Sequence, residues 1–150
     1  MASVSGVHHT CFTVSDLDRS VAFYRDVLGC EVIAEQEKQG GYFGAIVGYP
    51  DAHVRQAHLR LPGADHIIEL FEYLSPPGER ADTAPPNVGA SHLCFLVDDL
   101  PAFYEELRER GVTFVSPPVE VDTGINAGGW GVYLRDPDGI NVELFQAPRR

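Results

Sequence analysis

The chain repeats itself. His9-Thr-Cys-Phe-Thr-Val-Ser-Asp-Leu17 returns as His92-Leu-Cys-Phe-Leu-Val-Asp-Asp-Leu100, with six of nine positions shared: His9/His92, Cys11/Cys94, Phe12/Phe95, Val14/Val97, Asp16/Asp99 and Leu17/Leu100. A second pair closes the copies, Glu69-Leu-Phe71 and Glu143-Leu-Phe145. Each copy therefore opens on a histidine and ends on a glutamate. A module of about 70 residues is near the size at which a lone core is marginal. The two halves are expected to pack on each other or on a second chain. The boundaries read as a first module over residues 1–75, a Pro- and Gly-rich linker over 76–90, and a second module over 91–150.

Within the first copy, Val7 to Val14 is rich in β-branched and aromatic residues and predicts a strand. Alternation puts His9, Cys11 and Thr13 on one face, and Thr10, Phe12 and Val14 on the other. Ser15 is the expected N-cap of a helix whose stripe is Leu17, Val21, Tyr24 and Leu28, with Gly29 at its left-handed end. Cys30–Lys38, Tyr42–Tyr49, His53–Leu61 and His66–Leu74 read as strands. In the last of these Ile67, Glu69, Phe71 and Tyr73 share a face. An acid flanked by Ile and Phe is costly to bury without a cationic partner, which makes Glu69 informative. Glu72 falls on the opposite face and reads as solvated. Glu31, Glu35 and Glu37 read as a solvated strand edge.

The second copy repeats the plan. Ser91–Val97 is a strand with His92 and Cys94 on one face. Asp99 and Pro101 open a helix with the stripe Leu100, Phe103 and Leu107, ended by Gly111. Val112–Val115 and Pro118–Val121 are short strands at best. Residues 122–131 form a glycine-rich loop able to cover a site. Trp130–Arg135 and Ile140–Phe145 are strands around the turn Asp136-Pro-Asp-Gly139. Pro148-Arg-Arg reads as a frayed tail. The fold class is α+β: strand, helix, then three or so strands, twice, with sheets curled into an open barrel and helices outside.

Charge and composition remove several functions. The net charge of -11 lacks the clustered Lys and Arg that phosphate contacts need, so no nucleic-acid partner is expected. No apolar run approaches the roughly 20 residues that span a bilayer, so no membrane partner is expected either. The first residues lack the pattern of a signal peptide, and the cytoplasm is the default location. Three cysteines without a CxxC pair make no disulfide framework. Cys11 and Cys94 read as small side chains beside the histidines, with thiolate ligation the lesser alternative.

A lone strand histidine is more often structural than a ligand. Two at matching positions, each answered by an inward glutamate, favour a metal centre. His9, Glu69, His92 and Glu143 offer a mixed nitrogen and oxygen set suited to one divalent ion per site: Zn, Ni, Co, Mn or Fe. Two carboxylates would cancel the ion's charge, and the remaining positions could hold water or two vicinal substrate oxygens. A polarised carbonyl has a more acidic neighbouring C–H, and the resulting enolate is stabilised by the ion. A loosely held carboxylate, with Glu69 and Glu143 the candidates, or a metal-bound hydroxide could then move the proton. Phe71, Phe145 and Trp130, with Cys11 and Cys94, are candidate pocket residues. His53, His58 and His66 have no repeat partners and read as structural or surface residues.

The segment Val7-His-His-Thr-Cys-Phe-Thr-Val-Ser-Asp-Leu-Asp-Arg-Ser-Val-Ala-Phe-Tyr24 resembles the opening of vicinal oxygen chelate proteins. These include glyoxalase I, methylmalonyl-CoA epimerase, extradiol dioxygenases and the bleomycin and fosfomycin resistance proteins. Arg135-Asp-Pro-Asp-Gly139 with Glu143-Leu resembles their closing motif. The resemblance implies paired βαβββ modules, usually in homodimers, and a small-molecule substrate. Its first histidine precedes a valine by five residues, as His9 precedes Val14, which selects His9 over His8. The remaining ligands fall on Glu69, His92 and Glu143, and by analogy Glu143 is the loosely held carboxylate that moves a proton. The full set resembles the glyoxalase I and epimerase branch and implies a metal-dependent lyase, isomerase or epimerase. Two alternatives stand beside it: an Fe(II)-dependent dioxygenase, in which Glu69 would lack a role, and a metal-free drug- or metabolite-binding resistance protein. For glutathione's carboxylates only scattered Arg55, Arg60, Arg108 and Arg135 are on offer.

Overall fold

The structure is a computed structural model that describes residues 3–149. Met1 and Ala2 of the N-terminal segment, and Arg150 of the expected tail, lie outside the described residues. The chain divides into two units, one running through Arg80 and the other starting at Ala81.

The first unit begins with β1 (His9–Thr13), α1 (Leu17–Asp26) and β2 (Glu31–Gln39). It continues with α2 (Gly41–Val47), β3 (His53–Arg60) and β4 (Ile67–Ser75). Its four strands form one mixed sheet in the order β1-β4-β3-β2. The second unit comprises β5 (His92–Leu96), α3 (Leu100–Glu109), β6 (Val119–Glu120), β7 (Trp130–Arg135) and β8 (Asn141–Gln146). Its sheet runs β5-β8-β7-β6. Each unit is thus a βαβββ module, the α+β architecture expected, with one additional helix in the first. Among the described residues no helix is long and apolar enough to cross a membrane.

The helix stripes follow from sequence spacing. Leu17, Val21 and Tyr24 of α1 are buried, as is Leu28 just beyond it, and Phe12 of β1 stacks on Tyr24 with ring centroids 6.3 Å apart. In the second unit Leu100 and Leu107 are buried, with Val132, Leu134, Val142 and Leu144 of the sheet. Gly29 and Gly111 take positive φ just past the helix ends, as their positions predict.

The N-caps correct one expectation. Asp16, not Ser15, caps α1, accepting from the Arg19 N–H at 3.0 Å. Asp99 caps α3 in the same way, accepting from Ala102 at 3.1 Å. The shared aspartate of the repeat is therefore the helix start in both units. A second device is also shared. The Leu17 N–H donates to Glu72 Oε2 at 3.3 Å, and the Leu100 N–H donates to Gln146 Oε1 at 2.7 Å. Each acceptor stands three residues after the closing glutamate of its copy. Glu72 is thus not a solvated residue: it also receives Arg55 at 3.0 Å, whose other nitrogen holds Asp18 at 2.7 Å. The first turn of α1 is tied to β3 and β4 by this network.

Residues 42–49 do not form the expected strand. Gly40 and Gly41 both have positive φ, which ends β2, and α2 closes on Gly48 at φ 76. Phe43 and Val47, one helical turn apart, pack with Ala52, Val54, Phe71 and Tyr73. An apolar run of this length fits a short helix or a strand equally well; the flanking glycines and the aromatic seat on β4 decide it. Gly44 is needed there because a Cβ would come 2.7 Å from the Tyr49 carbonyl oxygen.

The segment read as a linker is partly tied down. Asn141, 2% exposed, donates to the Thr83 carbonyl at 2.6 Å and the Ser91 carbonyl at 3.3 Å. The Thr83 hydroxyl donates to the Gly139 carbonyl at 2.8 Å. Asp136 organises the turn below, accepting from Asp138 at 2.9 Å and Ile140 at 2.8 Å.

Removing the acceptor at Gln146 leaves the Leu100 N–H unpaired in a buried position. Gln146→Leu should destabilise by about 1–3 kcal/mol in urea unfolding, and Gln146→Glu, which copies the first unit, should lose less. Burial pushes the Cys30 thiol up to about 11, above the ordinary range near about 8.5. The folded state therefore holds its proton where the unfolded state releases it. Stability from this burial is complete below the ordinary thiol pKa and falls as pH rises toward the folded value. Unfolding midpoints should drop across that alkaline window, and Cys30→Ala should shrink the drop.

Candidate functional site

Parallel pairing of the first and last strand of each module places the repeated polar residues. In the first unit β1 pairs with β4, with Cys11 opposite Glu69. In the second β5 pairs with β8, with Cys94 opposite Glu143. Residues opposite one another share a face, so each histidine, two positions before its cysteine, lies on the face of its glutamate. Helices α1 and α3 occupy the other face, against Phe12 and Leu70 in one unit and Phe95 and Leu144 in the other, while the short α2 packs on the Glu69 side through Phe43.

Side-chain distances bring each pair together. His9 Nε2 lies 3.5 Å from Glu69 Oε2. His92 Nε2 lies 3.0 Å from Glu143 Oε2. The other ring nitrogen is engaged in both: His9 Nδ1 with His8 Nδ1 at 2.8 Å, and His92 Nδ1 with the Tyr133 hydroxyl at 3.2 Å. In each unit Nε2 is the ring nitrogen that meets the carboxylate while Nδ1 meets another side chain, and the Tyr133 hydroxyl also lies 3.5 Å from His92 Nε2. The histidine side chains are 42% exposed while Glu69 is 13% and Glu143 24% exposed, so the imidazoles remain reachable above sheltered acids. Each unit thus holds one nitrogen and one oxygen donor, ligand types that divalent ions of the first transition row accept. Among the described residues no group of three or more His, Cys, Asp and Glu side chains converges as a ready-made cage.

The two cysteines lie beside these pairs. Their thiols are both pushed up to about 12, by desolvation first and by the neighbouring Glu69 or Glu143 charge second. At neutral pH they are thiols rather than thiolates. The Tyr133 phenol is raised too, by desolvation first and then by the Glu143 charge.

The candidate pocket residues separate. Phe71 lies on the Glu69 face, 5.6 Å centroid to centroid from Phe43 of α2, and forms an apolar wall with Tyr73. Phe145 lies on the Glu143 face opposite Gly131. Trp130 pairs with Gln146, the residue that pins α3, so it belongs to the helix face and not to the Glu143 face. The strand alternation of β7 already implied this, because Trp130 and Tyr133 are an odd number of residues apart.

One residue set aside on sequence grounds belongs to the site. His58 sits opposite Glu69 in the β3–β4 ladder, with Nε2 3.1 Å from Glu69 Oε1. It has no histidine counterpart because its repeat position is Tyr133, opposite Glu143. Reading repeats by residue identity hid it; reading them by distance from the glutamate along the hairpin exposes it. His53 and His66 stand elsewhere: His53 meets Glu37 on the outer strand, and His66 meets the Thr10 hydroxyl.

Comparison with known proteins agrees with this architecture. Residues 6–144 match the model of the Glyoxalase/Bleomycin resistance protein/Dioxygenase superfamily. A 2-epi-5-epi-valiolone epimerase of Actinomyces sp. is 35% identical over 95% of this chain and 79% of its own length. A lactoylglutathione lyase of Pseudomonas aeruginosa is 31% identical over 93% of this chain and 81% of its own. A glyoxalase family protein of Bacillus cereus superposes with a TM-score of 0.82 at 25% identity, covering 99% of this chain and 97% of that one. With its family pattern matched almost end to end, and with relatives of that kinship along most of both lengths, the chain belongs to the Glyoxalase/Bleomycin resistance protein/Dioxygenase superfamily.

Proposed function

We propose that this protein is a divalent-metal-dependent isomerase, epimerase or lyase that acts on a small carbonyl compound with vicinal oxygens. The observation that carries the reading is the doubled pair, His9 with Glu69 and His92 with Glu143, at 3.5 and 3.0 Å with each outer ring nitrogen already engaged. His9, Glu69, His92 and Glu143 would hold the ion. When bound, the ion would polarise a chelated carbonyl and acidify the C–H beside it.

The protein groups divide the remaining work. Glu69 is the more enclosed acid, flanked by His9 and His58. Glu143 has more room. A Cβ at Gly131 would lie 3.7 Å from Glu143 Oε1, so glycine leaves open the space that Gln56 occupies at the matching position of the first unit. Glu143 is accordingly the proton carrier and Glu69 the fixed ligand. Phe71 and Tyr73 supply an apolar flank, and the Tyr133 hydroxyl a polar one.

The substrate is uncharged in this reading. Arg55 is committed to Asp18 and Glu72, Arg108 to Glu105, and Arg135 to Asn141 and the Gly139 carbonyl. Three of the four arginines considered for an anionic tail thus already serve protein partners. This favours a neutral carbonyl compound over a glutathione conjugate.

Purified protein should carry about one divalent ion per site. His92→Ala and Glu69→Ala should each lose it by metal analysis, and retention by both would remove the four-ligand centre. With metal present, solvent deuterium should enter a neutral cyclic hydroxyketone, and Glu143→Gln should slow that exchange by at least about 100-fold; oxygen uptake with Fe(II) instead would favour a dioxygenase. Mixing inactive His9→Ala and His92→Ala chains through unfolding and refolding should restore part of the activity if two copies share each site. No recovery from mixed dimers would place all four ligands in one chain.

A further inference from the structure

We propose that His58 is a positioning residue for Glu69: it holds Oε1 of the carboxylate and leaves Oε2 as the oxygen offered beside His9. The proposal rests on the metal reading above and adds to it a residue that the four-ligand set does not contain. Three observations support it.

The first is the division of the carboxylate. Glu69 Oε1 lies 3.1 Å from His58 Nε2, while Oε2 lies 3.5 Å from His9 Nε2. The two oxygens face different imidazoles. An ionised carboxylate only accepts hydrogen bonds, so the His58 nitrogen facing it is the protonated one.

The second is the support behind His58. Gln56, 2% exposed, places its amide nitrogen 2.7 Å from His58 Nε2, and its Oε1 is buried without a partner. A half turn of the amide exchanges its two ends. The oxygen then faces the Nε2–H that Glu69 requires, and both groups draw on one proton. The His58 ring is thereby held between a buried amide and the carboxylate.

The third is the contrast between the units. The ladder position opposite the glutamate is His58 in one and Tyr133 in the other. His58 grips the acid; Tyr133 grips the histidine, at 3.2 Å from His92 Nδ1. Gln56 has its counterpart in Gly131, which supports nothing. The same slot therefore grips Glu69 through His58, whereas Glu143 is met by His92 and the Cys94 thiol instead.

Metal affinity provides the main test. His58→Ala should weaken binding of Zn(II) or Mn(II) by about 10–100-fold while keeping the stoichiometry, as loss of an orienting partner does. His58→Gln, which keeps an N–H donor, should recover most of the affinity. His53→Ala, which removes the β3 histidine that meets Glu37 of β2, away from Glu69, should leave affinity unchanged. Affinity within twofold of wild type in His58→Ala would overturn the proposal. So would complete loss of metal matching His9→Ala with no rescue by His58→Gln, because His58 would then be a ligand itself. A metal-free readout separates this from the wider reading. In the imidazole nitrogen spectrum of the metal-free protein, the His58 Nε2–H signal should shift on Glu69→Ala. A signal that does not respond overturns the grip on Glu69; a response in a protein that binds no divalent ion sinks the metal reading and leaves the grip standing.

Discussion

Everything at the candidate site depends on the parallel hydrogen-bonded pairing of each module's first strand with its last. That ladder sets Cys11 against Glu69 and Cys94 against Glu143. Side chains alternate with a period of two, so a slip of one residue would send Glu69 among the buried side chains under α1 and bring Leu70 to the open face. The buried rows make such a slip costly. Ile68, Leu70, Val142 and Leu144 are all 2% exposed or less, and each would be driven to the polar side. The chemistry on one face is thus secured by the packing on the other.

The helices reinforce this register from the last strand. Glu72 and Gln146 each reach out of the strand that carries the closing glutamate and accept from the first turn of a helix. A helix N-terminus has backbone N–H groups with no partner inside the helix, and these side chains answer one of them in each unit. Duplication has kept the contact while changing the chemistry, a carboxylate with an arginine beside it in one unit and a neutral amide in the other. The same divergence appears on the open face, where His58 and Gln56 stand against Tyr133 and Gly131. Copies that began alike now meet their acids with different partners, His9 and His58 in one unit and His92 and the Cys94 thiol in the other.

Much of this is legible in the sequence, and the limits have physical reasons. The faces of β1, β4, β5 and β8 follow from strict alternation. The stripes of α1 and α3 follow from helical spacing, and the paired His and Glu follow from the repeat. Residues 42–49 mislead because a short apolar run has no period long enough to read, and the seat of Phe43 on Phe71 is a long-range contact. Ser15 misleads because two adjacent residues both suit an N-cap, and only backbone placement chooses Asp16. Glu72 looks solvated until Arg55, on a neighbouring strand, is placed beside it. His58 escapes because its role depends on the register of the β3–β4 hairpin and not on its neighbours in the chain. Trp130 was open to reading, and simple counting along β7 puts it with Gln146.

The outermost strands differ in a way that bears on self-association. In the first sheet β2 is nine residues long and lies at the rim. A strand of that length offers unpaired backbone groups to any passing chain. Glu31, Glu35 and Glu37 stand exposed along it, so a second identical rim laid alongside would bring acid toward acid. The corresponding rim of the second sheet, β6, is two residues long, too short to template an added strand. The β2 rim is guarded by repulsion, and at β6 there is almost no rim to guard.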